Sequence, residues 1–139
     1  MNLLYLLRPK DEITYISSAA TVRQGLEKLR VHGYTAIPAV NKAGEYAGTV
    51  SEGDFLWAIY EKGSPEALEK MPISEIIRSK RDKAVTVSAD MDELLYLIME
   101  QNFVPVTDDR GKFIGIVTRR DIIKYFYDKE QKERNSSDE

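Results

Sequence analysis

Cysteine is absent from this chain of 139 residues, and histidine occurs once, as His32. The lack of cysteine excludes disulfides, thiolate zinc sites and cysteine nucleophiles, and it is typical of proteins of the reducing cytoplasm. A Ser-His-Asp catalytic set would need a nucleophile beside His32, and the sequence identifies none. P-loop and Gly-x-Gly-x-x-Gly fingerprints are missing as well. These absences predict a cytoplasmic protein that is not an enzyme and has no metal site.

Long apolar runs and an excess of positive charge are also missing. The apolar run at residues 2–7 ends at Arg8 and is far shorter than the roughly 20 residues that span a bilayer. The formal net charge is −3, so the chain as a whole is not attracted to nucleic acid or to an anionic membrane, and we expect neither partner. Residues 1–10 are interpreted as a packing segment, and the charged stretch 129–139 as a disordered tail.

What the chain does contain is an internal repeat. Four pairs of residues are each separated by 67 positions: Pro38 and Pro105, Gly44 and Gly111, Gly48 and Gly115, and Asp54 and Asp121. Proline and glycine, which form three of these pairs, punctuate local structure, so a single spacing shared by all four pairs predicts a duplicated domain with internal pseudo-twofold packing.

Each copy has the same predicted order of elements, β-α-β-β-α. The corresponding pairs are strands at 13–16 and 85–87, amphipathic helices from Val22 and from Met91, hairpin turns at 41–44 and 108–111, and closing helices from Glu52 and from Arg119. Thr21 and Gln24 have the spacing of a capping box at the start of the first helix.

One such unit leaves a face of its sheet uncovered, so two units must stack to close a core. The predicted fold class is therefore α/β (α+β), with two β-α-β-β-α repeats packed sheet to sheet. The predicted division of the chain is a packing segment (1–10), repeat 1 (11–62), a linker with a short helix around 73–77 (63–83), repeat 2 (84–128) and the tail (129–139).

The two copies resemble the CBS domain, the cystathionine-β-synthase-type repeat, and together they resemble a Bateman module of the small stand-alone bacterial type. The family pattern is a proline-containing apolar strand, a glycine turn, and Gly-h-x-Thr/Ser-x-x-Asp at the start of a helix, where h is apolar. Residues 115–121 match this pattern fully, whereas residues 48–54 place Thr49 at the apolar position. The resemblance covers residues 11–62 and 73–127.

This resemblance implies clefts that bind an adenine nucleotide (AMP, ADP, ATP or cyclic di-AMP) and a homodimer shaped as a flat disc. In the family, the Asp of the motif holds the ribose hydroxyls, the Thr or Ser and the helix start face phosphate, and apolar residues flank adenine. The implied site residues are Ile16, Tyr34, Ala36, Ile37, Ser51 and Asp54 for repeat 1, and Val85, Val104, Pro105, Thr118, Arg119, Arg120 and Asp121 for repeat 2.

A purely structural interpretation of the second motif competes with this one. In it, Thr118 and Asp121 form a helix capping box, and Arg119 and Arg120 extend into solvent or pair with nearby aspartates. However, two cations at a helix start oppose the helix dipole at roughly 0.3–1 kcal/mol each, and a bound anion would compensate for them. The arginine pair therefore favours a phosphate site.

The first motif differs in charge. Repeat 1 has Glu52 and Gly53 where repeat 2 has the two arginines, so we expect the phosphate affinity to belong to the repeat 2 motif. The charged run 78–83 precedes the second repeat and has two interpretations, a solvated loop or a further phosphate contact.

The predicted function is a regulatory sensor that binds an adenine nucleotide and signals to a separate effector protein. The alternative is a ligand-independent dimerisation or interaction module, which the aromatic residues of the two closing helices also fit. An enzyme acting on a nucleotide is a third class. The nucleotide is expected as a ligand and not as a catalytic cofactor.

Overall fold

The computed structural model describes residues 2–77 and 82–137. Within these ranges the strands are β1 (Arg8–Pro9), β2 (Ile16–Ser17), β3 (Ala36–Val40), β4 (Tyr46–Ser51), β5 (Val85–Thr86), β6 (Phe103–Thr107) and β7 (Phe113–Thr118). The helices are α1 (Val22–His32), α2 (Glu52–Lys62), α3 (Pro65–Lys70), α4 (Met91–Leu97) and α5 (Arg119–Ser137). Single 3-10 turns form at Leu3–Tyr5, Lys10–Glu12 and Ile73–Glu75.

The strands form two sheets, one for each repeat. Sheet 1 has the order β2-β3-β4, with β2 parallel and β4 antiparallel to β3. Sheet 2 has the order β1-β7-β6-β5, and its last three strands repeat that arrangement. Pro38 pairs with Thr49, and Pro105 pairs with Ile116. Because these registers are 67 residues apart, the structure confirms the predicted duplication and fold class.

Local hydrogen bonds explain why the elements begin and turn where the sequence predicts. Thr21 Oγ1 accepts a hydrogen bond from the Gln24 N–H, and the Gln24 side chain accepts one from the Thr21 N–H, which completes the predicted capping box. Asn41 and Asp108 each accept two backbone N–H bonds within their hairpin turns. These contacts fix the turns that align β3 with β4 and β6 with β7.

The two sheets contact each other at their hairpins. The Phe113 N–H donates to the Gly44 carbonyl at 2.8 Å. The Phe113 ring, from sheet 2, lies 5.8 Å from the ring of Tyr15 and 6.3 Å from the ring of Tyr46, measured between centroids. These aromatic contacts join the repeats near one end of the sheets.

Each repeat has its own hydrophobic core, and each core is completed by a segment from outside the repeat. Leu3 is fully buried in the core of repeat 2, with Leu6 and Leu7 packed beside it. Ile73, in the stretch predicted as linker, is fully buried in the core of repeat 1 together with Leu68. The packing segment, which precedes repeat 1, therefore completes the core of repeat 2, and the stretch that precedes repeat 2 completes the core of repeat 1. We call this arrangement the exchange.

A second sequence repeat underlies this exchange. Residues 3–8 read Leu-Leu-Tyr-Leu-Leu-Arg, and residues 73–78 read Ile-Ser-Glu-Ile-Ile-Arg, 70 positions later. Both stretches begin with a 3-10 turn whose first residue is fully buried. We call residues 2–9 the N-terminal segment.

Two features of the fold, the length of α5 and the presence of α3, differ from the expectations. Helix α5 continues through 129–137, the stretch predicted as a disordered tail, and pairs such as Arg134 with Glu130 run along it at the i,i+4 spacing that stabilises helices. Helix α3 was not predicted. The second copy is shorter because α4 has 7 residues where α1 has 11. Residues 78–81 of the charged run lie outside the described residues.

Gly115 marks the place where the N-terminal segment crosses sheet 2. Strand β1 pairs with β7 through Arg8 with Ile116 and Pro9 with Gly115. Gly115 has a φ of 155°, and a Cβ at this position would lie 2.2 Å from the Arg8 carbonyl oxygen and 3.0 Å from Pro9 Cα. Only glycine allows such close approach of the two backbones.

We expect Gly115→Ala to lower the free energy of unfolding by roughly 2–4 kcal/mol, because the added methyl group meets backbone atoms that cannot move without breaking the β1–β7 pairing. Urea unfolding measures this loss. Gly53→Ala is the matched control, since a Cβ there meets its nearest atom at 3.7 Å, and it should be nearly neutral. Equal stability of the two variants would contradict the close approach.

Candidate functional site

A cleft of about 350 Å³ lies between the two repeats, within the size range of small-molecule sites. It is lined by the chain around and after β1 (Arg8, Glu12, Ile13 and Thr14), the start of β3 (34–38), the start of β6 (Asn102 and Phe103), and the passage from β7 into α5 (Ile116, Thr118 and Arg120). Both repeats and the N-terminal segment therefore contribute to one site.

The apolar wall of the cleft comes mainly from repeat 1. Ile37 and Pro38 are buried, and Ala36 is partly buried. The Tyr34 ring is stacked against the ring of His32, with 5.8 Å between the centroids and an angle of 12° between the planes. The small side chain of Ala36 leaves space beside these groups that a flat apolar ligand can occupy.

The opposite wall carries the start of α5. Thr118 ends β7, and its Oγ1 accepts a hydrogen bond from the Asp121 N–H at 3.1 Å, so it caps the helix as the sequence predicts. The Arg120 side chain lines the cleft, and it makes no hydrogen bond or salt bridge with any residue of 2–77 or 82–137. A cation at a helix start, where the helix dipole favours negative charge, is a suitable binding place for an anion.

Arg119 has a different environment from Arg120. Its Nε donates to the carbonyl of Ile98, at the carboxyl end of α4, at 2.9 Å. Successive residues of a helix are rotated by about 100° around its axis, which separates the two side chains. Arg119 therefore stabilises the end of α4, where a cation is favourable, and does not line the cleft.

Asp121 is held by the N-terminal segment. Arg8 Nε donates to Asp121 Oδ2 at 2.9 Å, and Arg8 Nη2 donates to Oδ1 at 3.2 Å. The hydrogen bonds from Arg8 are the main reason that the pKa of the Asp121 carboxyl is lowered, and they also raise the pKa of Arg8. Arg8 lines both the cleft and a neighbouring groove, whereas Asp121 lines only the groove.

The first motif forms a closed capping box. Ser51 Oγ accepts a hydrogen bond from the Asp54 N–H, and Asp54 Oδ2 accepts bonds from the Ser51 N–H at 2.9 Å and from its hydroxyl at 3.1 Å. Asp54 is buried and lies in a groove between α2 and residues 71–77. This groove matches the one that contains Asp121, which shows how closely the two halves correspond.

In repeat 2, the positions equivalent to Tyr34 and Ala36 carry different side chains. Gln101 occupies the position of Tyr34, and Phe103 that of Ala36, 67 residues later. The Gln101 amide is buried; it accepts from the Lys83 N–H at 2.8 Å and donates to the carbonyls of Lys83 and Phe103, both at 3.1 Å. These bonds stabilise the backbone of repeat 2 where repeat 1 offers an open wall.

With this geometry established, comparison with known proteins decides the family. A family model of the CBS domain matches residues 7–61 and 73–128. The chain belongs to the CBS domain family.

One curated relative of this CBS-domain chain is an uncharacterized protein of Methanopyrus kandleri, 33% identical over 102 residues, which are 70% of this chain and 49% of that protein. Two others have enzyme names, a homoserine O-acetyltransferase of Methanohalophilus mahii and an inosine-5'-monophosphate dehydrogenase of Methanocaldococcus jannaschii, at 24% and 26% identity. The aligned residues are 78% and 83% of this chain. The chain spans about half the length of the first relative and only 21% and 22% of the two enzymes.

Solved structures share the fold of this CBS pair. The crystal structure of CbpB in complex with c-di-AMP has a TM-score of 0.86 at 22% identity and covers 98% of this chain and 91% of that one. CBSX2 in complex with AMP has a TM-score of 0.74 at 21% identity, with coverages of 93% and 98%. At these identities, the likeness establishes the architecture of a CBS pair.

The structure regroups the site residues predicted from the sequence. Tyr34, Ala36 and Ile37 of repeat 1 line the same cleft as Thr118 and Arg120 of repeat 2. The sequence groups the site residues by repeat, whereas this cleft brings the wall of repeat 1 together with the helix start of repeat 2. The remaining predicted residues (Ile16, Ser51, Asp54, Val85, Val104, Pro105, Arg119 and Asp121) do not line it, and Ile16, Val85 and Val104 belong to the cores.

Sequence analysis missed the contribution of the chain around and after β1. Arg8, Glu12, Ile13 and Thr14 line the cleft, although residues 1–10 were interpreted only as packing. The signal that could have revealed Arg8 is its recurrence as Arg78, since residues 3–8 and 73–78 both end in arginine.

Among residues 2–77 and 82–137, no cluster of three or more His, Cys, Asp or Glu side chains is placed to hold a metal ion. Over the same part of the chain, no helix combines the length and the apolar character needed to cross a bilayer.

We expect Arg8→Gln to raise the pKa of the Asp121 carboxyl toward its ordinary value, about 3.9, because the hydrogen bonds from Arg8 are the main cause of its depression. Carboxyl NMR titration measures this change. Asp108 is the internal control, since hydrogen bonds from the Lys112 and Arg110 N–H groups lower its pKa and should persist. An unchanged Asp121 titration would contradict the assignment.

The same change alters stability at acid pH. A carboxyl whose pKa is lower in the folded state stabilises the fold above its unfolded-state pKa and loses that contribution as pH falls through the folded-state value. The wild-type chain should therefore lose more stability than Arg8→Gln below about pH 4.

Proposed function

We propose that this CBS pair is a regulatory module that binds an adenine nucleotide in the cleft between its repeats. The observation that carries the proposal is the meeting of an apolar wall from repeat 1 with the positive start of α5, where Arg120 makes no hydrogen bond or salt bridge with residues 2–77 and 82–137. A base and a phosphate joined by a ribose need this combination of surfaces.

In the proposed binding mode, the ligand spans the cleft from the apolar wall to the start of α5. Adenine lies against Tyr34, Ala36 and Ile37, and the phosphate lies at Thr118 and Arg120, where the helix dipole favours negative charge. The ribose lies between them on the side of Asp121, whose carboxylate accepts its hydroxyls. Repeat 1 offers Gly53 in place of Arg120, so phosphate affinity belongs to this cleft.

The related structures support this class of ligand. CbpB was solved with c-di-AMP and CBSX2 with AMP, and both ligands join adenine to a phosphate through ribose. The candidates for this chain are AMP, ADP, ATP and cyclic di-AMP. Binding across the two repeats would change how they pack together, and this change would be read by an effector protein. We propose no catalytic step.

A thermal-shift panel tests the proposal with AMP, ADP, ATP and cyclic di-AMP, each at the same concentration. A ligand present at about 100 times its Kd stabilises the fold by roughly 2.7 kcal/mol, which raises Tm by several degrees. No shift with any of the four would overturn the proposal. Chromatography of the ligand after incubation should show it unchanged, and turnover would instead favour an enzyme.

Two neighbouring arginines give a matched pair of variants for the ligand that shifts Tm. Arg120→Ala removes a charged hydrogen-bond donor worth roughly 1.5–3 kcal/mol, so Kd should rise about 10- to 100-fold. Arg119→Ala should lower Tm, because Arg119 bonds to the end of α4, while Kd stays within about twofold. If both variants leave Kd unchanged, phosphate does not bind at the α5 start.

A specific observation also favours self-association. Leu56 and Ile123 occupy equivalent positions on α2 and α5 and are 64% and 53% exposed, and Tyr60 and Tyr127 are a second such pair at 78% and 59%. Large apolar side chains at the same exposed positions of both closing helices suit an interface with a second copy of the chain. We propose that the module is a homodimer joined through these helices.

We expect the double variant Leu56→Glu and Ile123→Glu to be monomeric in light scattering, while the wild-type chain is dimeric at the same concentration. The charges would be buried without partners at the interface but lie in solvent in the monomer. Leu4→Glu is the control, since Leu4 is 50% exposed and lies outside both helices. A wild-type chain that is monomeric at micromolar concentration would contradict the proposed interface.

A further inference from the structure

Arg8 occupies an unusual place in the candidate site. It belongs to the N-terminal segment, lines the cleft, and binds both carboxylate oxygens of Asp121. Its side chain is 48% exposed, whereas that of Asp121 is 23% exposed. The guanidinium therefore stands at the boundary between the cleft and the carboxylate that is expected to hold ribose.

A ribose in the cleft must compete with this guanidinium. Arg8 presents two of its N–H groups to the two oxygens in a fork, the strongest geometry for this pair. A ribose that approaches from the cleft meets Arg8 before it meets Asp121, because Arg8 lines the cleft and Asp121 does not. Engagement of Asp121 by the ligand therefore requires the Arg8 side chain to turn away.

Only the side chain can make this movement. The Arg8 backbone is paired with Ile116 of β7, and its carbonyl lies against Gly115, where a single Cβ would clash. Leu3 anchors the same segment in the core of repeat 2. A released Arg8 guanidinium thus stays at the cleft, where it can bond to a new anion.

We propose that Arg8 is a specificity-determining residue that selects phosphorylated nucleotides over nucleosides, an inference that rests on the proposed function. A nucleotide supplies both halves of an exchange: its ribose takes the place of Arg8 on Asp121, and its phosphate takes the place of Asp121 on Arg8. A nucleoside supplies only the first half and leaves the guanidinium without a partner. The phosphate therefore removes a barrier to binding in addition to bonding with Arg120.

Calorimetric titration of AMP and adenosine into the wild-type chain and Arg8→Gln tests this exchange. In Arg8→Gln, adenosine should bind about threefold more tightly, because Asp121 is free of a partly exposed ion pair. AMP should bind at least tenfold more weakly, because its phosphate loses one charged donor. The preference for AMP over adenosine should fall by an order of magnitude or more.

Two further variants separate this role from a structural one. Arg8→Lys keeps a cation but loses the fork, so AMP should lose less affinity than in Arg8→Gln. Arg23→Gln breaks a comparable exposed ion pair, Arg23 with Glu69 at 2.9 Å, outside the cleft, and it should leave the AMP-to-adenosine ratio unchanged.

Each result decides the proposal. An unchanged ratio in Arg8→Gln, or weaker binding of adenosine, would overturn the exchange while the proposed nucleotide site stands. If neither compound nor any nucleotide of the panel binds the wild-type chain, the proposed function and the exchange fail together.

Discussion

The structure depends on two short stretches, residues 3–8 before repeat 1 and residues 73–78 before repeat 2, each of which begins in the core of the other repeat. Leu3 completes the core of repeat 2, and Ile73 completes the core of repeat 1, so neither repeat closes its apolar surface with its own residues alone. Burial of a large aliphatic side chain contributes roughly 1.5–3 kcal/mol, and these two side chains anchor each stretch in the core that it completes. The cleft lies between the two repeats that these stretches connect.

The same exchange brings charge to the cleft. The N-terminal segment runs from Leu3 across sheet 2 as β1, and this path places Arg8 beside Asp121. The close pairing at Gly115 fixes the distance between the segment and the strand that leads into α5. A motif carboxylate that looks exposed in the sequence is therefore neutralised by a residue more than a hundred positions away.

Duplication has produced two halves with the same backbone and different chemistry. Strand registers, capping residues and grooves correspond at a spacing of 67 residues. In contrast, Arg120 corresponds to Gly53, Ala36 to Phe103 and Tyr34 to Gln101. Backbone geometry constrains the glycines and prolines in both copies, whereas side chains that face the cleft are free to differ. Repeat 1 therefore supplies an open apolar wall to the cleft, and repeat 2 supplies a helix start that carries a cation.

Local interactions explain what could be predicted. The capping box at Thr21, the turns at Asn41 and Asp108 and the starts of α2 and α5 each depend on residues within about four positions of one another, so the sequence alone determined them, together with the duplication and the family. Which side chains meet in the cleft depends on contacts between distant segments. Sequence spacing therefore groups the wall and the motif of each repeat, gives Arg119 and Arg120 the same role, and assigns Arg8 no part in the site. Only the tertiary structure decided these points, because face-to-face packing, helix rotation and strand pairing determine direction and distance between residues that sequence spacing does not relate.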